Sequence, residues 1–282
     1  MNKKTPVLHP DKVAIHPSKR FGQNFLTDQR VIERIIEALA PESNETIVEI
    51  GPGRGALTAS LLEKAGRLVA IEFDRNLIPI LTDSFSGKTN FTLIEDDALV
   101  ADFCAAIRPA VRARLVANLP YNVGTAILQR LIEQRQCFSE LVLMLQKEVC
   151  ERITAAPGTA ERGYLSVFVQ AYCETEKLFD VAPHAFRPAP KIWSSVLRLK
   201  LRSRVAAELH DEKLLWQVVS AGFAQRRKTI LNNLRNAPSP LQELIKKHGG
   251  ASIVLCGADV DVQRRAETLT LEEWARIAGA ME

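Results

Sequence analysis

Thr46-Ile47-Val48-Glu49-Ile50-Gly51-Pro52-Gly53-Arg54-Gly55-Ala56-Leu57 is the stretch of this 282-residue chain that decides its fold. Thr46 to Ile50 is a short apolar run with β-branched residues and reads as a strand. It stops abruptly at three alternating glycines, and Leu57, Leu61 and Leu62 then recur at helical spacing. Glycines at a strand-to-helix junction let the backbone turn sharply and approach a ligand closely. Further strands are expected at Leu68 to Phe73, Phe91 to Ile94, Leu115 to Ala117 and Leu141 to Leu145. Helical patterns separate them, with Leu77, Ile80 and Leu81 on one and Ile127-Leu128 with Leu131-Ile132 on another. Short apolar strands alternating with amphipathic helices imply an α/β fold, a Rossmann-like parallel sheet with helices on both faces.

The pattern changes after Val196-Leu197-Arg198-Leu199-Lys200-Leu201, and helices dominate from Asp211 onward. Three parts are therefore expected: a polar, proline-bearing tail at 1–18, a Rossmann-like catalytic domain at 19–204, and a small all-helical C-terminal domain at 205–282. The apolar share of 46% and charged share of 25% are those of an ordinary globular protein. A net charge of +4 permits a nucleic-acid partner without arguing for one. Pro6, His9, Pro10 and Asp11 break any apolar stretch behind the basic start, and no run approaches a membrane span. Five cysteines without a Cys-x-x-Cys pair read as buried free thiols rather than a disulfide framework or zinc site. The expectation is a cytoplasmic, metal-free monomer that does not engage membranes.

The glycine loop alone leaves the ligand open. Glu72 ends the second strand about twenty residues on, where a carboxylate accepts from both ribose hydroxyls of an adenosine. Gly51-x-Gly53-x-x-Ala56 also satisfies a dinucleotide fingerprint. Two details tilt the choice. Glu49 completes Glu-x-Gly-x-Gly-x-Gly, which resembles the methyltransferase form, and Glu95-Asp96-Asp97-Ala98 places an acid at the third strand end to accept from an adenine amine. Asp97 taken alone is equally a helix N-cap.

Asn118-Leu119-Pro120-Tyr121 follows the fourth strand directly, and ligands of a doubly wound sheet collect at such strand ends. The residue types suit one reaction. The N6 amine of adenine is a poor nucleophile because its lone pair is delocalised into the ring. The Asn118 amide oxygen and the Leu119 carbonyl each accept one N–H, which favours a tetrahedral nitrogen with its lone pair aimed at a methyl donor. Pro120 stiffens the loop. Tyr121 offers a stacking face for a flipped-out base, a contact of roughly 1–3 kcal/mol. No strong base is required, since the amine becomes acidic as it gains the methyl group.

With these residues in hand, the chain resembles the ribosomal RNA adenine dimethyltransferases. The likeness begins at Arg20-Phe21-Gly22-Gln23-Asn24-Phe25-Leu26 and runs through Glu49 to Gly55, Ile71-Glu72-Phe73-Asp74, Asp97-Ala98 and Asn118 to Tyr121. It continues at Met144 to Val149 and at Phe186-Arg187-Pro188-Ala189-Pro190-Lys191, which leads into Ser194-Ser195-Val196. The resemblance implies S-adenosyl-L-methionine as methyl donor, held by Asn24, Leu26, Gly51, Gly53, Glu72, Asp97 and Asn118. It also implies Phe186 as a second stacking face beside Asn118, Leu119, Pro120 and Tyr121. Phe223 to Leu234, read as a basic helix, looks like the branch acting on two adjacent adenines near the 3′ end of small-subunit rRNA, in small-subunit biogenesis. Trp193 departs from the family pattern, which leads one to expect a small or polar residue there.

Charge placement supports RNA independently. Residues 183–204 hold Arg187, Lys191, Arg198, Lys200, Arg202 and Arg204 with no acid, and Lys213 to Gln242 adds Arg226, Arg227, Lys228 and Arg235, again with none. One-sign stretches read as phosphate-facing. Arg187, Lys191, Arg226, Arg227 and Lys228 are the expected RNA contacts, with small-subunit rRNA or its assembling particle as partner. Alternatives are the large-subunit methyltransferases of the antibiotic-resistance type and an RNA-binding assembly factor. A nicotinamide dehydrogenase fits poorly, because none of the five histidines stands at a strand end near the loop.

Overall fold

A computed structural model describes residues 23–207 and 211–282; the tail at 1–18, Arg20-Phe21-Gly22 and His210 lie outside the described residues. The strands are β1 (Phe25–Leu26), β2 (Thr46–Ile50), β3 (Arg67–Glu72), β4 (Phe91–Glu95), β5 (Ala113–Asn118), β6 (Phe138–Gln146), β7 (Cys173–Val181), β8 (Phe186–Arg187) and β9 (Ser194–Leu201). Seven of them form one sheet in the order β4-β3-β2-β5-β6-β9-β7, while β1 pairs antiparallel with β8.

Pairing from β4 through β6 is parallel, and β9 runs antiparallel to β6, so the sheet is mixed rather than wholly parallel as expected. The chain leaves β2 toward β3 and β4, then returns to lay β5 on the other side of β2. That reversal opens a crevice at the carboxyl ends of β2 and β5. Consecutive residues of β2 from Ile47 to Ile50 are all buried, which requires cover on both sheet faces. On one face Ile47, Val116, Val142 and Val196 pack with Ile32, Ile35, Ile36 and Leu39 of α1 (Gln29–Leu39) and with Leu57, Leu61 and Leu62 of α2 (Ala56–Lys64). Each such aliphatic side chain contributes roughly 1.5–3 kcal/mol by leaving water. Asp28 fixes the start of α1, its carboxylate accepting from the Arg30 and Val31 amides.

The remaining helices are α3 (Ile78–Phe85), α4 (Phe103–Ala106), α5 (Gly124–Glu133), α6 (Lys147–Thr154), α7 (Tyr164–Tyr172), α8 (Glu212–Gly222), α9 (Ile230–Arg235), α10 (Leu241–Lys247), α11 (Ala251–Gly257) and α12 (Leu271–Gly279). The chain divides into two compact units. One holds the described residues up to Cys150 with Glu176–Leu201; the other holds Glu151–Thr175 with the described residues from Arg202 to Glu282. The second crossing falls close to the boundary expected at 204/205, but residues 151–175, read from sequence as part of the first domain, cluster with the helical unit. That unit has its own core, with Leu215, Val218, Val219, Ile230, Leu234 and Trp274 fully enclosed.

Two sequence expectations are corrected. Cys104 and Cys137 are joined as a disulfide, and Cys256 is exposed, so only Cys150 and Cys173 are buried free thiols. The two bonded cysteines lie 33 residues apart with Cα atoms 5.3 Å from each other, a separation that a disulfide spans and that spacing motifs do not reveal. The basic segment from Phe223 is not one helix. α8 ends at Gly222, Arg226 to Lys228 occupy a turn, and α9 begins after Thr229, whose hydroxyl accepts from the Asn232 amide.

Candidate active site

The crevice beside β2 and β5 is a cavity lined by Asn24, Leu26, Gly51, Gly53, Glu72, Asp97 and Asn118 to Tyr121, so it brings together every residue expected to hold the cofactor and four of the five expected at the target base. Its lining forms because strand ends are where the chain must turn. After β2 the backbone enters the left-handed region at Gly51 (φ 64°) and Gly53 (φ 60°), conformations that strain any side chain. A Cβ on Gly53 would also lie 3.1 Å from the Phe25 ring, whereas one on Gly51 would meet nothing and point into open space.

Acids dominate this cavity. Glu49, Glu72, Asp74, Asp96 and Asp97 line it, against Arg54 as the one cation among the described residues. Glu49 is buried and accepts a 2.7 Å hydrogen bond from the Thr58 hydroxyl; burial pushes its carboxyl up to about 8. Glu72 accepts from the backbone amides of Gly53 (3.2 Å), Phe73 (2.9 Å) and Asp74 (2.8 Å). Burial raises its pKa, and those three N–H groups oppose the rise. The glycine loop and the β3 carboxylate thus form one unit. Asp74 in turn accepts from the Gln23 side chain at 2.8 Å. Asp97 Oδ1 accepts from the Leu99 amide at 2.9 Å, a turn contact that leaves its second oxygen for a ligand.

Asn118 is oriented. Its Nδ2 donates to the Asn24 carbonyl at 3.2 Å, and since a carbonyl only accepts, the amide nitrogen must face it. The Asn118 Oδ1 therefore points away from that contact as an acceptor. The Leu119 amide donates to the Met144 carbonyl at 3.1 Å, tying the loop to β6, and the Pro120 carbonyl accepts from Gly124 at 2.9 Å to start α5. Tyr121 is half-buried and its hydroxyl lies 2.7 Å from Ser194 Oγ at the start of β9, which fixes the ring. Burial raises the phenol pKa, so it stays neutral at physiological pH.

Phe186 is not brought to this cavity. It is 2% exposed, stands opposite Leu26 in the β1–β8 pair, and packs in the core with Ile32, Val181 and Val196. Its place behind β1 is structural. Sequence reading missed the Tyr121–Ser194 hydrogen bond, the Gln23–Asp74 pair and the cation of Arg54 lying 5.1 Å over the Phe25 ring. Each joins segments far apart in the sequence, which no local pattern encodes.

Arg187 and Lys191 are exposed. Arg198 and Arg202 are engaged instead, Arg198 with Glu176 (2.8 Å) and Glu140 (3.7 Å), Arg202 with Glu174 (3.2 Å), so the acid-free run 183–204 is not phosphate-facing throughout. In the helical unit Arg226, Arg227 and Lys228 are exposed on their turn. Buried Asn233 shapes that turn by donating to the Gly222 (2.5 Å) and Gln225 (3.2 Å) carbonyls, and the Arg226 guanidinium donates to the Ala160 carbonyl. Among the described residues no helix is long and apolar enough to cross a membrane.

A family model described as ribosomal RNA adenine dimethylase matches residues 16–276. The ribosomal RNA small subunit methyltransferase A of Hahella chejuensis is 43% identical over 270 residues, covering 96% of this chain and 94% of that protein. The protein of the same name from Clostridium acetobutylicum is 42% identical over 261 residues, covering 93% and 92%. Among solved structures, a dimethyladenosine transferase from Plasmodium falciparum superposes with a TM-score of 0.73 at 25% identity, over 90% of this chain and 95% of that one. The 23S rRNA methyltransferase ErmE shares the fold, with a TM-score of 0.69 at 24% identity, covering 92% and 99%.

Proposed function

Because the chain belongs to the ribosomal RNA adenine dimethylase family, we propose that it methylates the N6 amines of two adjacent adenines near the 3′ end of small-subunit rRNA, as a step in small-subunit biogenesis. The observation that carries the reading is the orientation of Asn118 inside an acid-lined cavity. A dinucleotide would bring a pyrophosphate against these carboxylates, whereas a sulfonium is a cation and suits them. The acid lining and the family together favour S-adenosyl-L-methionine over a dinucleotide at the glycine loop, and when bound it supplies an electrophilic methyl group. Asn24, Leu26, Gly51, Gly53, Glu72, Asp97 and Asn118 would hold it: Glu72 through the ribose hydroxyls, Asp97 through the adenine amine, and Gly51 by leaving space where a side chain would intrude.

The chain's own residues then act on the target base. Asn118 Oδ1 and the Leu119 carbonyl accept the two N–H groups of the adenine amine, holding its nitrogen in a pyramidal shape. Pro120 restricts the loop that carries the Leu119 carbonyl. Tyr121, pinned through its hydroxyl, presents a fixed ring on which the base stacks. The amine proton leaves to water once the nitrogen has gained its methyl group, so a resident base is unnecessary. Arg187 and Lys191, with Arg226, Arg227 and Lys228 of the helical unit, meet RNA phosphates. The relatives named for the small subunit favour that rRNA over the large-subunit alternative. The test is mass spectrometry of rRNA nucleosides from cells lacking the chain. N6,N6-dimethyladenosine should vanish from small-subunit rRNA, and its persistence there would refute the proposal.

A further inference from the structure

Trp193 is 50% exposed and its neighbour Ile192 is 44% exposed, just before the strand that reaches the site. Ser194, the next residue, is fully buried and holds the Tyr121 hydroxyl at 2.7 Å. Successive side chains of an extended chain point to opposite sides, so Ser194 faces inward to Tyr121 while Trp193 faces out beside it. The backbone is pinned at and just after the indole: the Trp193 carbonyl accepts from the Lys147 amide at 2.9 Å, at the carboxyl end of β6, and Ser194 begins β9, where it pairs with Gln146. An aromatic held on a fixed backbone stacks with little loss of freedom. The segment leading to it carries Arg187 at the end of β8 and Lys191, both exposed and without an ion pair among the described residues, and no acid lies between residues 183 and 204. An exposed apolar face in a stretch that carries free cations and no acid suits a polyanion with flat bases better than a protein surface.

We propose that Trp193 is the stacking platform for the nucleobase flanking the target adenine, setting how the single-stranded RNA enters the site. This rests on the RNA-adenine reading above. Trp193 stands one residue from the group that fixes Tyr121, which places the indole within a short span of chain from the ring proposed to hold the target, as a platform for a flanking base requires. Trp193 takes no part in the chemistry, and its removal should act on RNA capture alone.

Two measurements on the full chain test this. In methyl transfer from S-adenosyl-L-methionine to unmethylated small-subunit particles, Trp193→Ala should raise KM about tenfold, the loss expected for one base–aromatic stack, with kcat preserved. Trp193→Phe should restore most of the affinity. Independently of catalysis, a short unstructured oligoriboadenylate should quench a component of tryptophan fluorescence in the wild type that is absent in Trp193→Phe. Unchanged KM in Trp193→Ala overturns the proposal, as does an unquenched Trp193 component while labelled RNA is seen to bind by anisotropy. If the wild type transfers no methyl group to the particles, the functional reading fails instead, and the fluorescence result still decides whether Trp193 stacks.

Discussion

The cavity beside β2 is lined by acids and the turn between α8 and α9 by cations, and the proposed function gives each a ligand of the opposite sign. In the cavity Glu49, Glu72 and Asp74 are buried, and Glu72 is fixed by three backbone amides. On the turn Arg226, Arg227 and Lys228 are exposed, with Asn233 fixing the backbone beneath them and the Arg226 side chain alone of the three reaching a protein carbonyl among the described residues, that of Ala160. Buried charges act at short range with little screening, which serves a small ligand that must be placed to a fraction of an ångström. Exposed cations act over roughly 8 Å at physiological salt and respond to ionic strength, which serves a large polyanion that has only to be gathered. Position is a property of the first region and attraction of the second.

That contrast is most severely tested at Asn118. Replacing it with Ala should lower kcat on the order of 100-fold or more, by analogy with loss of one preorganised polar contact at a reaction centre, while thermal stability and RNA affinity stay near wild type. A kcat within a few-fold of wild type would remove Asn118 from the reaction. Glu72→Ala should weaken S-adenosyl-L-methionine binding by roughly 10- to 100-fold in calorimetry, the range for hydrogen bonds to a charged group, and leave RNA binding intact. Equal loss of both ligands would mean that the two regions are not separable. Changing Arg226, Arg227 and Lys228 together to Gln should do the reverse. The slope of log K for RNA against log salt should fall by about 0.7 for each single-strand phosphate contact removed, with cofactor affinity unchanged.

The smallest effect concerns Glu49 and pH. Its folded-state pKa of about 8 lies above the ordinary carboxylate value of 4.5, so between those limits the native state binds more protons than the unfolded one. Stability must therefore decline as pH rises through that window. Glu49→Gln should flatten the decline, narrowing the difference in melting temperature between pH 6 and pH 8.5. An identical pH profile in the variant would show that Glu49 ionises in the folded chain as it does in water.

Much of the fold was legible because β2 to β6 are short apolar runs whose burial leaves a continuous hydrophobic signature. β7 was not, since Glu174, Glu176 and Lys177 interrupt it and it lies at the end of the sheet order, where one edge has no partner strand among the described residues. The two-residue strands β1 and β8 are too short to carry any period. The antiparallel run of β9 was equally hidden, because apolar patterning reports burial and not direction. At the site, Asn118 to Tyr121, Glu72 and Asp97, picked out by chemistry and strand-end position, line one cavity, whereas Phe186 lies in the core. An aromatic in a recognisable motif gives no sign of whether it faces a ligand or a core. The basic turn was mistaken for helix although Thr229 offered an N-cap signal inside it.

The hydrogen bond from Asn118 to the Asn24 carbonyl has an implication for which sequences this site tolerates. Aspartate has nearly the same shape as asparagine and would fill the same space. It would nevertheless set one carboxylate oxygen against the carbonyl oxygen of Asn24, lone pair to lone pair, and swing out of register. The preference for an amide over an acid at position 118 is thus written by a backbone atom 94 residues earlier in the chain, and a change in the path of the segment before β1 would alter the residue permitted after β5.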